Sequence, residues 1–270
     1  MKFVKMHGTG NDFILFVIPD KKQAFFTRPL IKKLCARYFG IGADGLILVL
    51  PSRHKKTDFR MRIFNADGNE AEMCGNGIRC LGKLVYDYRL TRKKELLIET
   101  LSGLIYIKLF TKNNKVKKVT VNIPNQPKIT LLPHSELHDI LDNQKYEIIK
   151  ILLGNPHCVI FIPSNINDFP VEKYGPLIER HQLFPQRTNV EFVQLLNKTS
   201  IKMRVWERGV GETLACGTGA CATVVAGIAT NKLRSHNVKV SLPGGNLMVS
   251  QQNTGLSLTG PAKIVFEGVI

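Results

Sequence analysis

The stretch Glu70-Ala71-Glu72-Met73-Cys74-Gly75-Asn76-Gly77-Ile78-Arg79-Cys80 returns later in the chain as Glu212-Thr213-Leu214-Ala215-Cys216-Gly217-Thr218-Gly219-Ala220-Cys221. Each copy sets a Glu four residues before a Cys, follows the Cys with Gly-x-Gly and runs on into mostly apolar sequence. The two cysteines lie 142 positions apart, and the same offset carries Arg62-Ile63-Phe64-Asn65 onto Arg204-Val205-Trp206-Glu207. An offset of 144 carries Gly10-Asn11 onto Gly154-Asn155, a difference that two residues of loop absorb. The chain therefore reads as two copies of one structural unit, each presenting one cysteine.

The stretches around the two phrases define the unit. Ile78, Leu81, Leu84, Val85 and Tyr88 recur at helical spacing, so the first phrase opens a helix; Ala220 to Ala229 is apolar on nearly every face, as a centrally buried helix must be. Short strand patterns flank both: Phe3–Met6, Phe13–Ile18, Leu46–Leu50, Phe59–Phe64, the pair Leu96–Glu99 and Leu104–Leu109 across Ser102-Gly103, and Val116–Ile123 in the first unit. In the second they are Val159–Ile162, Val190–Leu195, Lys202–Trp206, Lys239–Leu242, Leu247–Ser250 and Leu256–Leu258. Outer helices are expected over Arg28–Tyr38 and near Val171–Arg180. Many short strands with one main buried helix per unit predict an α+β fold of two pseudo-symmetric domains, each a curled, mostly antiparallel sheet wrapped around a central helix. Pro124-Asn125-Gln126-Pro127 is the expected boundary. The first domain is placed at 1–123, with a C-terminal strand at 263–270 that could return to it, and the second at 124–262.

Bulk properties narrow the function. The 270 residues are 44% hydrophobic and 22% charged, a balance suited to a packed globular protein. No apolar run approaches the roughly 20 residues that span a membrane, and the N-terminal residues lack a secretory pattern, so a cytoplasmic protein is expected. Six cysteines without Cys-x-x-Cys or zinc-like spacing argue against a metal site, and Cys35, Cys80, Cys158 and Cys221 read as small buried residues. The net charge of +17 permits nucleic-acid binding, but the basic residues are scattered and carry no recognition motif. A basic solvated surface is the simpler reading, and no nucleic-acid partner is expected.

A cysteine before Gly-x-Gly at a helix start has chemical meaning. The unpaired N–H groups and the positive end of the helix dipole favour the thiolate, and the glycines let an anionic ligand reach the backbone. Two such elements related by a repeat suit inversion at a carbon that bears hydrogen, where one group removes a proton from one face and another delivers one to the opposite face. Departures from the repeat mark the asymmetric part of a substrate: Asn65-Ala66 corresponds to Glu207-Arg208, which makes Arg208 a candidate for a second carboxylate and Glu207 for an ammonium. Asn11, Asn65, Asn155 and Asn189 stand beside turns and could complete a polar cage.

Gly8-Thr9-Gly10-Asn11-Asp12-Phe13, Phe64-Asn65-Ala66-Asp67-Gly68, the Cys74 phrase, Gly154-Asn155-Pro156-His157, Trp206-Glu207-Arg208-Gly209, Ala215-Cys216-Gly217-Thr218-Gly219 and the ending from Thr259-Gly260-Pro261-Ala262 to Phe266-Glu267-Gly268 together resemble the signatures of the diaminopimelate epimerases over essentially the whole chain. The resemblance implies a cofactor-independent bacterial enzyme that converts LL- to meso-diaminopimelate for lysine and peptidoglycan synthesis. It implies Cys74 and Cys216 as the two acid–base residues and Asn11, Asn65, Asn155, Asn189, Glu207 and Arg208 as side-chain contacts. Gly75, Asn76, Gly217 and Thr218 would hold the reacting carboxylate through their backbone. Some members carry Gln where Gly45 stands here, so that contact is lost or replaced. The small-molecule substrate is the expected partner, with a homodimer as the candidate assembly. Proline racemases and hydroxyproline epimerases share the two-cysteine layout and form the alternative class; a basic nucleic-acid-binding protein with structural cysteines is a second.

Losing either acid–base group stops inversion. Cys74→Ala and Cys216→Ala are each expected to abolish epimerisation, read by separating the stereoisomers after incubation of each variant with LL-diaminopimelate.

Overall fold

The computed structural model describes residues 1–124, 126–137, 139–142, 144, 146–252 and 255–270. Asn125, within the expected boundary, lies outside the described residues. The chain divides into two compact units, Met1–Asn122 with Thr259–Ile270, and Ile123–Leu258.

The first unit is built from β1 (Lys2–Gly8), β2 (Asn11–Val17), α1 (Arg28–Cys35), β3 (Gly45–Pro51), β4 (Phe59–Asn65), β5 (Glu70–Ala71), α2 (Gly75–Asp87), β6 (Glu95–Thr100), β7 (Gly103–Lys112) and β8 (Lys115–Ile123). Its pairings are antiparallel for β1–β2, β3–β4, β4–β5, β6–β7 and β7–β8, and parallel for β2–β3 and β4–β6. The strands surround α2, which packs on β1, β2, β3, β4 and β7 and buries Ile78, Cys80, Leu81, Leu84 and Val85. Lys83, Tyr86 and Asp87, spaced along one side of its C-terminal half, stay partly exposed and give α2 a polar stripe.

The second unit repeats the plan. It comprises β9 (Lys128–Leu132), β10 (Glu147–Leu153), β11 (Asn155–Ile162), α3 (Val171–Glu179), β12 (Asn189–Asn197), β13 (Ser200–Glu207), β14 (Gly211–Thr213), α4 (Gly217–Ala229), β15 (Asn237–Leu242), β16 (Gly245–Gln252) and β17 (Gly255–Gly260). The pairings β10–β11, β12–β13, β13–β14 and β15–β16 are antiparallel, and β11–β12 and β13–β15 parallel, matching their first-unit counterparts one for one. Register repeats too: Phe13 pairs with Gly45 and His157 with Asn189. The equivalence extends to an outer strand. β9 flanks β10 in the second unit, and the C-terminal β18 (Lys263–Val269) flanks β1 in the first, with Lys2 opposite Val269. Strand pattern alone signals that 263–269 is extended; only the long-range pairing says where it goes.

Two expectations shift. The outer helix read as Arg28–Tyr38 ends at Cys35, where the chain turns back and the Leu34 carbonyl accepts the N–H groups of both Ile41 and Gly42. A side chain at Gly40 would drive its Cβ to 2.1 Å from the Lys33 carbonyl oxygen, so glycine there permits the turn. In addition, β9 and β10 precede the strand with which the sequence reading begins the second unit.

The Glu four residues before each cysteine now has a physical role. Arg62 binds Glu70 through Nε and Nη2, both at 2.7 Å, and Arg204 binds Glu212 through the same atoms at 2.6 and 2.8 Å. These forks tie β4 to β5 and β13 to β14, and so fix the approach to each cysteine. Arg204 also donates through Nη1 to the carbonyls of Ile166, Asn167 and Phe169, whereas Arg62 donates to Gln23 Oε1. Lysine keeps the charge but not the planar fork. Arg204→Lys is expected to lower unfolding free energy by about 1–2 kcal/mol, and Arg62→Lys by less, measured by urea titration.

Candidate active site

In each unit the topology gathers polar residues at one end of the central helix. β2 and β3 run parallel and start together at Asn11 and Gly45, while β4 runs the other way and ends at Asn65 opposite Gly45. In the second unit β11 starts at Asn155, β12 at Asn189, and β13 ends at Glu207. Cys74 and Cys216 occupy the position just before the helices α2 and α4, with extended backbone, and each sulfur accepts the N–H three residues on: Gly77 at 3.5 Å and Gly219 at 3.4 Å. The thiols thus act as N-caps, a place usually held by Ser, Thr, Asp or Asn. The remaining first-turn N–H groups, at Gly75-Asn76 and Gly217-Thr218, have no carbonyl partner within the helix.

In the first unit Asn11 Oδ1 accepts from the Cys74 thiol at 3.6 Å and from Asn76 Nδ2 at 3.3 Å. Asn11 Nδ2 donates to Asp44 Oδ2 at 2.8 Å, and Asp44 is held by Arg37, which also binds Asp12. Asp12 settles near a pKa of about 2: burial opposes its charge, but Arg37, Lys5 and the Asp44 N–H outweigh it. The Asn76 side chain faces inward, its Oδ1 accepting from Arg79 Nη2 at 2.8 Å. Arg79 is wholly buried and also reaches the carbonyls of Gly75 and Pro261 and the Thr9 hydroxyl. Asn65 is exposed at the end of β4. Gly45 has no room for a longer residue in this backbone, since a Cβ would lie 2.5 Å from the Phe64 carbonyl oxygen.

The second unit places Glu207 beside Cys216. Thr213 donates to Glu207 Oε1 at 2.5 Å, and the Thr218 hydroxyl lies 3.5 Å from the Cys216 sulfur. Asn189, nearly buried, accepts the Arg208 N–H at 3.0 Å through Oδ1 and donates to the Pro156 carbonyl at 3.0 Å through Nδ2. Asn189 therefore links Arg208 to the segment carrying Asn155. Arg208 is exposed, with Nη1 on the Gln186 carbonyl. His157 and Glu191 are both fully buried; His157 closes the Gly154-Asn155-Pro156-His157 motif but received no site role from the sequence, and Glu191 lies outside every motif. They stand where the first unit has Phe13 and Ile47, and that break in the repeat is the available signal.

The expectation that a helix start favours the thiolate does not hold for Cys216. Burial pushes this thiol well above the ordinary cysteine range, aided by the Glu207 and Glu191 carboxylates; the Thr218 hydroxyl and Gly219 N–H oppose the shift without cancelling it. Burial likewise raises Glu207. Cys80 and Cys158, both raised chiefly by burial, are packing residues as expected.

The fold defines the class. Over 100% of this chain and 99% of the other, the structure matches a PhzF-family phenazine biosynthesis protein of Bacillus anthracis with a TM-score of 0.77 at 16% identity. A probable proline racemase of Agrobacterium radiobacter matches with a TM-score of 0.71 at 14% identity, covering 100% of this chain and 92% of that one. The chain shares its two-unit fold with both proteins. Sequence similarity is narrower. A family model described as diaminopimelate epimerase matches residues 3–125 and 150–265. Proteins named diaminopimelate epimerase from Methanococcus maripaludis and Agathobacter rectalis are 45% and 46% identical, each over 100% of this chain and 99% of the relative. The chain belongs to the diaminopimelate epimerase family and is an isomerase.

If Glu207 holds up the Cys216 thiol, removing its charge should ease ionisation. Glu207→Gln is expected to move the Cys216 titration to lower pH, read as thiolate absorbance against pH in the difference between Glu207→Gln and the same variant carrying Cys216→Ala. An unmoved or higher midpoint would place the cause elsewhere.

Proposed function

We propose that the chain interconverts LL- and meso-diaminopimelate by a two-base mechanism in which Cys74 and Cys216 are the acid–base pair. The observation that carries this reading is the equivalence of the two thiols: each caps the first turn of its unit's buried helix and accepts the same N–H. Inversion asks for one group that takes a proton and one that gives a proton, and two repeat-related thiols supply both roles without a cofactor. Cys216, whose pKa burial raises well above the ordinary cysteine range, is the proton donor for one direction of the reaction. Cys74 as thiolate removes the α-hydrogen, and electrons left on the carbon delocalise into the adjoining carboxylate. In the reverse direction the roles exchange.

That carboxylate would be received by the first-turn N–H groups of Gly75, Asn76, Gly217 and Thr218, whose dipoles favour the charge as it builds. Glu207 suits the reacting ammonium. Arg208, with Asn65, Asn155 and Asn189, suits the distal amino-acid end, which a proline ring lacks. Asn11 Oδ1 accepts from Cys74 in its thiol form, the form in which Cys74 donates in the reverse direction. We place the enzyme in the cytoplasm, in lysine and peptidoglycan synthesis. Among the described residues no helix is long and apolar enough to cross a membrane.

Brief turnover of LL-diaminopimelate in heavy water tests the mechanism. The donor thiol exchanges with solvent and delivers deuterium, while the opposite thiolate removes the original hydrogen. Early meso product is expected to carry deuterium at the inverted carbon, with recovered substrate almost unlabelled. Early product largely without deuterium would rule out separate acid and base. Inversion of L-proline instead of diaminopimelate would move the chain to the proline racemase type.

A further inference from the structure

The two units are internal controls for each other, and they differ most beneath the second cysteine. In the first unit the first turn of α2 sits on apolar side chains: a Cβ at Gly77 would lie 2.8 Å from Ile47 Cδ1. At the equivalent place in the second unit, a Cβ at Gly219 would lie 2.6 Å from Glu191 Oε1. Glu191 stands in the middle of an otherwise apolar strand stretch, Val190-Glu191-Phe192-Val193, and is fully buried. Its Oε1 lies 2.7 Å from His157 Nδ1, and its Oε2 has no hydrogen-bond partner among the described residues. A carboxylate in place of an isoleucine is costly to bury, so packing alone does not account for it.

His157 continues the connection. Its Nε2 lies 2.9 Å from Asn155 Oδ1, an atom that only accepts, so Nε2 carries hydrogen. Asn155 is thereby held by its oxygen, and its Nδ2 has no hydrogen-bond partner among the described residues. The equivalent Asn11 is held the other way round: Asp44 takes its Nδ2, and its Oδ1 faces Cys74. One asparagine presents an acceptor to a thiol and the other an unengaged amide donor. The side chains that set this difference are Asp44 in the first unit and the Glu191–His157 pair in the second.

We propose that Glu191 is a positioning residue of the epimerase, acting through His157 to fix the Asn155 carboxamide with its NH₂ group turned to a substrate carboxylate. The relay works by orientation. Glu191 occupies the Nδ1 side of the imidazole, which holds the ring plane and leaves the Nε2–H aimed at Asn155. The other titratable groups around the pair are Glu207 at the end of β13, Cys216 at the start of α4 and Cys158 on β11, which interact with His157 or Glu191 electrostatically and make no hydrogen bond to the ring. This inference rests on the reading of Asn155 as a substrate contact.

The test is a double-mutant cycle on full-length protein with LL-diaminopimelate. Wild-type turnover comes first, and an inactive wild type would remove the proposed function itself. With wild type active, Glu191→Ile, which installs the first unit's residue at this place, is expected to lower kcat/KM about 100-fold, the scale of a misplaced contact. Glu191→Gln can donate its amide to Nδ1 and keep the ring in place; it is expected to stay within about threefold of wild type. In an Asn155→Ala background, Glu191→Ile should cause no further loss, because the residue it acts through has gone. A merely structural glutamate would give losses that add. The His157→Phe/Glu191→Ile variant, which copies the first unit's Phe13 and Ile47 pair, checks folding by circular dichroism and is expected to fold and to lose activity like Asn155→Ala. Additive losses, Glu191→Ile activity within about threefold of wild type, Glu191→Gln as impaired as Glu191→Ile, or a folded His157→Phe/Glu191→Ile variant with full activity would each overturn the relay.

Discussion

Burying the start of a helix obliges the protein to deal with the N–H groups of its first turn, and the answer given to that constraint governs both units. A sulfur accepts one N–H in each, from Gly77 to Cys74 and from Gly219 to Cys216. Sulfur is a weak acceptor, and the choice makes sense only if the atom at that place has further work. The glycines one and three residues on keep the first turn narrow and approachable. The Arg62–Glu70 and Arg204–Glu212 forks hold the strands leading into it. Helix burial, N-capping and the fork are one device, built twice.

Symmetry in the scaffold and asymmetry in the side chains divide the labour. The pairing scheme and register repeat closely, which places the polar residues of each unit at the start of its central helix. What the strand ends carry is then free to differ. Asn65 meets its counterpart in Glu207, Gly45 in Asn189, and Phe13 and Ile47 in His157 and Glu191. The second unit concentrates charge beside its cysteine, and the first concentrates it one layer back, in Arg79 and the Lys5, Asp12, Arg37 and Asp44 group. Burial first, and then Glu207 and Glu191, for which the first unit has Asn65 and Ile47, raise the Cys216 thiol well above the ordinary cysteine range.

Much of this is legible in the sequence because a repeat turns single motifs into pairs. The central helices, the strand ends and the equivalence of Arg62–Glu70 with Arg204–Glu212 all follow from one offset. Other features resist for identifiable reasons. Glu191 is a single polar residue inside an apolar strand, and local pattern cannot distinguish a buried acid from one on a wet face; His157 sits in a quoted motif that assigns it no role, and the 144 offset sets both against Phe13 and Ile47. The early end of α1 depends on carbonyls of Leu34 and Cys35 captured from beyond the helix. The ionisation of Cys216 escapes the dipole argument because that argument counts only the helix, whereas burial and two carboxylates brought in by β12 and β13 outweigh it.

The outer strand of each unit comes from a different place in the chain. In the second unit β9 is made before the strand it flanks, so every strand it pairs is available once synthesis passes Leu258. In the first unit the corresponding strand is β18, which is made only after the whole of the second unit. Until then β1 keeps an unpaired edge, with Phe3 lacking the Phe266 ring that closes on it at 5.9 Å. The unit begun first is therefore completed after the other, and a nascent chain carries an open sheet edge until the second unit has been made.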